Sequence, residues 1–168
     1  PICPLGIESA IVDCSREELG PVLLRPGTLG RDALAAAAGA ALVERDAAAP
    51  RAPGTLDAHY APRATLRLMD GDALRAALAV LVDAARQAGG GTPKRAPTLA
   101  VYSRAALPKA AGLMHSRMPD DAAAAAHELF ATLRRFDAQG ATLIWVEQPP
   151  DDPAWDGVRD RLQRAATR

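Results

Sequence analysis

The stretch "ATLIWVEQP" at residues 141–149 determines which fold the rest of the chain can form. Its centre is a nearly unbroken apolar run, which is typical of a strand covered on both faces, as the strands of parallel sheets are. Two similar stretches, "TLRLM" (65–69) and "TLAVYS" (98–103), come before it, and a short strand is predicted at 112–117. The chain therefore carries several strands that fit inside one parallel sheet.

Three helices are predicted between and after these strands, at residues 71–91, 120–140 and 153–168; Pro119–Asp121 marks the start of the second, and glycines end the first two. Apolar side chains recur at helical spacing on one face of each helix; they are Leu74, Leu78, Leu81 and Val82, then Leu129, Leu133 and Phe136, then Val158 and Leu162. The order strand–helix–strand–strand–helix–strand–helix predicts an α/β fold, a Rossmann-like three-layer sandwich with a mostly parallel sheet.

The chain before residue 65 follows a different pattern. "IESAIVDC" (7–14) and "PVLLRPG" (21–27) predict a β-hairpin, and "GRDALAAAAGAAL" (30–42) predicts a helix. A hairpin alone is marginally stable in water, so residues 1–40 are expected to pack poorly or to pair with another chain. No periodicity holds across 44–64, where prolines recur. We therefore predict a hairpin and helix that need a larger sheet at 1–43, a linker at 44–64 and an α/β domain at 65–168.

Composition narrows the class of protein. The 20 Lys and Arg side chains balance the 20 Asp and Glu side chains, which argues against a dominant nucleic-acid-binding surface. Cys3 and Cys14 have no metal-ligand spacing and are expected to be free thiols in a reducing cytoplasm. No apolar run reaches the length of a membrane span, and no basic-then-apolar leader pattern appears in the first residues of the sequence. The start without Met predicts a fragment or a processed chain.

Several side chains could carry chemistry. Arg25, before Pro-Gly, could present a guanidinium fork to a phosphate or carboxylate, or could form an ordinary surface ion pair. Ser9 could contact a ligand or only satisfy a local hydrogen bond. His59 and Tyr60 stand together in the Pro-stiffened stretch "TLDAHYAPRA" (55–64), which could close over a cleft, with Arg63 near phosphate.

The second domain carries weaker signals. It contains neither GxGxxG nor GxxxxGK[ST], and "YSR" (102–104) is expected to be a solvent-facing loop after its strand. Glu147, at the end of the quoted strand, is expected to be a satisfied edge carboxylate rather than a site residue. His115 and His127 lack metal-ligand spacing, so no metal site is predicted.

Three motifs in this order resemble the two-domain L-threonylcarbamoyl-AMP synthases, the YrdC-like enzymes with an extra C-terminal domain. They are "GIESAIVD" (6–13), "LRPG" (24–27) and "PGTLDAHYAP" (53–62), and "MPDDAAAAAHELFATLRRFDAQGATLIWVEQPP" (118–150) is similar to that family's C-terminal domain. The resemblance covers essentially the whole chain. It identifies residues 1–43 as the end of the catalytic domain and 65–168 as the accessory domain.

The resemblance implies a nucleotidyltransferase that makes threonylcarbamoyl-AMP and diphosphate from L-threonine, bicarbonate and ATP, with Mg²⁺. Partner proteins then transfer the threonylcarbamoyl group to the adenosine at tRNA position 37, which gives t6A. By motif position, Ser9 would contact L-threonine, Arg25 the ATP phosphates, and Tyr60 the ATP, with His59 and Arg63 beside them. Contact with tRNA or double-stranded RNA and a homodimer both stay open.

This chain departs from the family in two ways. Ala10 replaces the usual Thr, and the Lys-x-Arg and Ser-x-Asn stretches of the catalytic domain do not occur, so the chain alone is expected to be inactive. The alternative is a stand-alone α/β module that binds nucleotide or RNA or mediates interactions without catalysis. The accessory domain's role, whether gating, dimerisation, regulation or tRNA handling, is left open by the sequence.

Overall fold

The structure is a computed structural model that describes residues 6–7, 9–16, 18–53, 61–87, 98–105 and 112–167. Its elements in chain order are β1 (Ile11–Asp13), β2 (Val22–Arg25), α1 (Arg31–Ala38), β3 (Thr65–Met69), α2 (Gly71–Gln87), β4 (Leu99–Ser103), β5 (Leu113–Arg117), α3 (Ala122–Ala138), β6 (Leu143–Glu147), a 3₁₀ turn (Pro153–Trp155) and α4 (Asp156–Ala166). Below, "the first segment" means the described residues of 6–53, and "the sandwich" means those of 61–167.

The sandwich is built on a four-stranded sheet in the order β3-β6-β4-β5, and all of its strand pairs are parallel. The quoted strand, β6, lies between β3 and β4, with Leu143 opposite both Thr65 and Leu99. The predicted succession of strands and helices from residue 65 onward is confirmed, and so is the α/β fold class.

Helices cover both faces of the sheet and make three layers. Ile144 and Val146 of β6 belong to the main core, packed with α3 and α4, whereas Leu143 and Trp145 contact the cluster under α2. This alternation follows from the two-residue period of a strand. Among the predicted inward positions, the side chains of α3 and α4 are all buried: Leu129, Leu133, Phe136, Val158 and Leu162.

One predicted inward position is wrong. Leu74 and Leu78 of α2 are buried, but Leu81 is 43% exposed. Leu81 lies beside Val80, which is 68% exposed, whereas Leu74 and Leu78 are 1% and 4% exposed. The face of α2 that is covered in its first half is therefore covered less completely at Leu81.

The ends of α3 match the predicted signals. The Asp121 carboxylate accepts a hydrogen bond from the Ala124 amide at 2.8 Å, which caps the first turn. The helix stops at Ala138, two residues before Gly140, which has a φ of 82°. These local signals fix where the chain leaves α3 and enters β6.

The first segment contains the predicted hairpin, since β1 and β2 pair in antiparallel fashion. Behind it lies a small cluster of four buried apolar residues, Val22, Leu24, Ala49 and Ala52. Val43 continues this unit through a bridge to Val22 and a hydrogen bond from its amide to the Pro21 carbonyl at 2.8 Å. The cluster crosses the predicted boundary at 43/44, and the domain limits stay a prediction.

The expectation that residues 1–40 pack poorly or pair with another chain is wrong for part of this region. Ile7 was predicted as a strand residue, but β1 begins only at Ile11, and Ile7 is 1% exposed within the main core of the sandwich. Helix α1, in contrast, has no buried residue. The hairpin therefore gains its packing surface inside this chain, through the residues that precede β1.

Candidate functional site: the Arg25 clamp

The Arg25 guanidinium joins two parts of the first segment. Its Nε and one terminal nitrogen donate to the Ser9 carbonyl at 3.3 and 2.9 Å, and the other terminal nitrogen donates to the Pro53 carbonyl at 2.7 Å. Arg25 is buried, with 6% of its surface exposed. We call this set of contacts the Arg25 clamp. It brings together Ser9 and Arg25, two of the residues that sequence analysis singled out.

The Ser9 residue itself is exposed, and the clamp holds it through its backbone rather than its side chain. A ligand could therefore reach the hydroxyl while the carbonyl stays fixed. This geometry is compatible with the predicted contact to L-threonine, which stays a prediction. The predicted contact between Arg25 and ATP also stays a prediction.

Both ends of the linker are attached to ordered structure. Pro53 is held by the Arg25 clamp, and the Asp137 carboxylate of α3 accepts hydrogen bonds from the amides of Arg63 at 2.9 Å and Ala64 at 3.1 Å. The side chain of Arg63 is exposed. His59 and Tyr60 lie outside the described residues. The structure thus fixes where the chain enters and leaves the stretch that carries them.

A second polar network supports the hairpin, and sequence analysis missed it. The Asp13 carboxylate accepts hydrogen bonds from the hydroxyl and the amide of Ser15 at 2.7 and 2.9 Å, and Arg16 lies 3.4 Å from its other oxygen. Arg16 also donates to both oxygens of Asp46, at 2.9 and 3.0 Å. Asp46 is 30 residues away in sequence, so no local pattern could reveal this pairing.

These contacts change the acidity of both carboxyl groups. Hydrogen bonds from Ser15, followed by the charge of Arg16, hold the pKa of Asp13 below its usual range. The hydrogen bonds from Arg16 similarly lower the pKa of Asp46. Both groups are therefore stabilised as carboxylates, and together with Arg16 they connect the hairpin to the chain that leads into the linker.

The turn after Arg25 lies directly against the sandwich. A methyl group added to Gly27 would lie 2.3 Å from the Ala10 nitrogen, and one added to Gly157 of α4 would lie 2.3 Å from the Gly27 carbonyl oxygen. Only glycine allows backbones to approach this closely. The "LRPG" motif thus contacts both the Ser9–Ala10 backbone, which precedes β1, and the first turn of α4.

The carboxyl end of the parallel sheet, where ligands of open α/β sheets often bind, is occupied by an internal ion pair. Glu147 accepts hydrogen bonds from the side chain and amide of Arg104, at 2.6 and 2.8 Å. Glu147 is 5% exposed, which confirms the expected satisfied carboxylate. The expected solvent-facing loop at 102–104 is wrong for Tyr102 and Ser103, which are fully buried.

Tyr102 is held from the α3 side of the sheet. Its hydroxyl donates to Glu128 at 3.0 Å. Burial, reinforced by the charge of Glu128, raises the pKa of the Tyr102 hydroxyl well above its ordinary value. This end of the sheet is therefore organised for packing.

The described residues contain no group of three or more His, Cys, Asp or Glu side chains placed to hold a metal ion. None of the helices in this part of the chain is both long and apolar enough to cross a bilayer. Cys14 is a free, exposed thiol, as predicted, and Cys3 lies outside the described residues.

The described residues form an α/β sandwich joined to a hairpin, and the hairpin region carries the Arg25 clamp. Comparisons with known proteins show which family has this architecture. The family model described as "Threonylcarbamoyl-AMP synthase, C-terminal domain" matches residues 14–167. The chain belongs to this family. The match confirms the family resemblance read from the motifs.

A curated relative, the threonylcarbamoyl-AMP synthase of Bacillus subtilis (strain 168), is 28% identical over 166 residues. The alignment covers 96% of this chain but 46% of the relative. The chain therefore spans about half the length of the curated relative that it matches.

Two solved structures share the fold. The crystal structure of P. abyssi Sua5 complexed with L-threonine has a TM-score of 0.73 at 24% identity, covering 97% of this chain and 46% of its own. A P. abyssi Sua5 variant with a His and the following Tyr replaced by Ala has a TM-score of 0.71 at 22% identity, with the same coverage. At these identities the likeness supports the fold alone.

Proposed function

We propose that this chain is the C-terminal part of an L-threonylcarbamoyl-AMP synthase, a cytoplasmic enzyme that forms threonylcarbamoyl-AMP and diphosphate from L-threonine, bicarbonate and ATP. Family membership supports this reaction. The product would supply the threonylcarbamoyl group for t6A in tRNA, and transfer to tRNA would be the task of partner proteins. Any Mg²⁺ would arrive with the nucleotide.

The observation that carries the proposal is the Arg25 clamp. One guanidinium contacts the Ser9 carbonyl and the carbonyl of Pro53, the first residue of the "PGTLDAHYAP" motif. Three motifs that are separated in sequence thereby meet at one side chain. In the proposal Ser9 contacts L-threonine, Arg25 and Tyr60 contact ATP, and His59 and Arg63 lie beside the nucleotide.

The clamp also supports a coupling between the nucleotide and the linker. A phosphate oxygen and the Pro53 carbonyl are both acceptors for the same guanidinium fork. A phosphate that approaches Arg25 would therefore exchange with, or be positioned beside, the carbonyl that attaches the linker. Tyr60 follows Pro53 by a few residues, so a change at Arg25 would move the segment proposed to cover ATP and exclude water.

The experiment is a double-mutant cycle with Arg25→Lys and Tyr60→Ala in the full-length protein, measured as ATP-dependent diphosphate release with threonine and bicarbonate. Each variant should reduce turnover at limiting ATP by about tenfold or more. In Arg25→Lys the ammonium cannot replace the planar guanidinium fork, and Tyr60→Ala removes the side chain proposed to cover ATP. The two losses should be less than additive, because both side chains act in one closed state. Arg45→Lys, at an exposed position, is the matched control, and circular dichroism monitors the fold.

Two outcomes would contradict these assignments. Wild-type ATP use in Tyr60→Ala would remove Tyr60 from the site, and additive losses would separate the roles of the two residues. The chain alone, residues 1–168, should release no diphosphate, because it lacks the Lys-x-Arg and Ser-x-Asn stretches. Threonine-dependent release by the chain alone would contradict the proposal that it is only part of the enzyme.

A further inference from the structure

The contact between Gly27 and Gly157 reaches from the sandwich to the backbone of the proposed site. A methyl group on Gly157 would lie 2.3 Å from the Gly27 carbonyl oxygen and 2.6 Å from the Ile7 Cδ1. A methyl group on Gly27 would lie 2.3 Å from the Ala10 nitrogen and 2.8 Å from the Ser9 carbonyl carbon. The Gly27 backbone is therefore enclosed by the Ser9–Ala10 peptide on one side and by α4 on the other.

The α4 side of this contact is a rigid support. Gly157 is the second residue of α4, and its neighbours Trp155 and Val158 are buried in the main core together with Leu162. Close-packed interiors yield little to small displacements. The turn that contains Gly27 thus rests on a part of the sandwich that cannot shift to accommodate it.

The other side of the contact leads to the Arg25 clamp within two residues. Gly27 follows Arg25 and Pro26, and the fixed φ of proline limits how far the turn can adjust. Arg25 in turn fixes the Ser9 carbonyl at 2.9 Å. A displacement of Gly27 would therefore be passed to both residues proposed to meet the substrates.

From this arrangement we infer that Gly157 of the sandwich is a positioning residue for Ser9 and Arg25. The inference rests on the proposed function and extends it by giving the accessory domain a role, which is to hold the Ser9 backbone and the turn after Arg25 in place. Gly157 acts through Gly27 and touches no substrate. The contact between Gly157 and the Gly27 backbone thereby fixes the positions of both Ser9 and Arg25.

The first test measures hydrogen exchange in the chain with Gly157→Ala. Alanine is the better helix former, so any loss must come from the contact with the first segment. Amides of β1, β2 and the turn after Arg25 should exchange about tenfold faster or more, as expected when a local contact is broken, while β4 and β6 stay protected. Gly30→Ala is the matched control, because a methyl group there meets no atom within 4 Å.

Unchanged exchange in the hairpin would overturn the inference. A uniform loss of protection in hairpin and sheet would also overturn it, because Gly157 would then be a general packing residue. A second variant separates the two contacts of Gly157. Ile7→Val removes the Cδ1 atom that the new methyl group would meet but leaves the Gly27 carbonyl in place, so hairpin amides in the double variant should still exchange as fast as in Gly157→Ala. Return of hairpin exchange to the rate of the Ile7→Val single variant would place the effect at Ile7 and overturn the inference.

The second test uses the full-length protein. Gly157→Ala should raise the KM values for L-threonine and ATP by about tenfold, since a small misplacement of binding groups has effects of this order or larger, and Gly30→Ala should leave them unchanged. Equal KM values in Gly157→Ala and wild type would overturn the inference. If the wild-type protein makes no threonylcarbamoyl-AMP, the proposed function fails, whereas the exchange experiment still decides whether Gly157 positions the hairpin.

Discussion

The sandwich and the first segment are stabilised by different kinds of contact. The sandwich has apolar clusters on both faces of its sheet, one of them containing most of the buried side chains of the chain's described part. The first segment has four buried apolar residues in its own cluster. It relies on carbonyl contacts to Arg25, on the pairing of Arg16 with two carboxylates, and on Ile7 and Gly27, which pack against the sandwich.

The difference shows where ligand-binding residues can be accommodated. Polar groups contribute little net stability to a fold but fix geometry closely, and regions of low local stability are where ligand-binding loops usually lie. The proposed site residues Ser9 and Arg25 belong to the region with the smaller apolar core. The first segment therefore depends on the sandwich for its stability, and the following experiments test this dependence.

The largest effect is expected from Leu129→Ala in the main core of the sandwich. Leu129 is fully buried, and the substitution should lower the free energy of unfolding by about 2–5 kcal/mol. Chemical denaturation should show a shifted transition for the whole chain, because the first segment depends on the sandwich. Val80→Ala, at a position that is 68% exposed, is the control and should stay within about 0.5 kcal/mol. If amides of the first segment stayed protected from exchange when the sandwich unfolds, the first segment would not depend on the sandwich.

A smaller effect is expected from removing the first segment. Residues 61–168 should fold alone, but with a free energy of unfolding lower by about 1.5–3 kcal/mol, because the site that Ile7 fills loses a fully buried side chain. Residues 1–53 alone should show no cooperative thermal transition, since an isolated hairpin is marginal. A cooperative transition in 1–53 would show that the first segment is an independent unit.

The smallest effect concerns acid. Because the pKa of Asp13 is lower in the folded state than in the unfolded state, its stabilising contribution is complete above the unfolded value of about 3.9. It is lost as the pH falls through the folded value. Amide chemical shifts of β1 and β2 should therefore change below about pH 4 before those of β6 do, and Asp13→Asn should weaken this early change. If the shifts of the hairpin and of β6 changed at the same pH, the prediction that the hairpin responds to acid separately would be contradicted.

Sequence patterns predicted the sandwich well because its strands and helices repeat their apolar positions at regular spacing. Apolar stretches marked β3, β4 and β6, a short strand was predicted where β5 lies, and Asp121 and Gly140 marked the ends of α3. Leu81 was misplaced because periodicity reports the face of a helix and not how completely that face is covered. Ile7 was misplaced because alternation cannot show that a residue leaves its strand to enter a different core.

The candidate site was predicted less completely for a related reason. Motifs identified Ser9 and Arg25 as functional candidates, but the acceptors of Arg25 are backbone carbonyls, which every residue has and no pattern marks. The pairing of Arg16 with Asp46 and the approach of Gly27 to Gly157 join residues far apart in sequence. Such contacts depend on how the two regions dock, which is set by the fold as a whole.

The position of β6 has a consequence for how this chain is made. β6 lies between β3 and β4, and it is the only neighbour that β3 has within the described sheet. Among the described strands it is also the last to leave the ribosome, and domains fold largely as units during synthesis. The sheet therefore cannot be completed until residue 147 has emerged. While some eighty further residues are synthesised, β3 has no strand in the described sheet to pair with. A nascent chain arrested before β6 should remain open to protease, and one arrested after α4 should resist it.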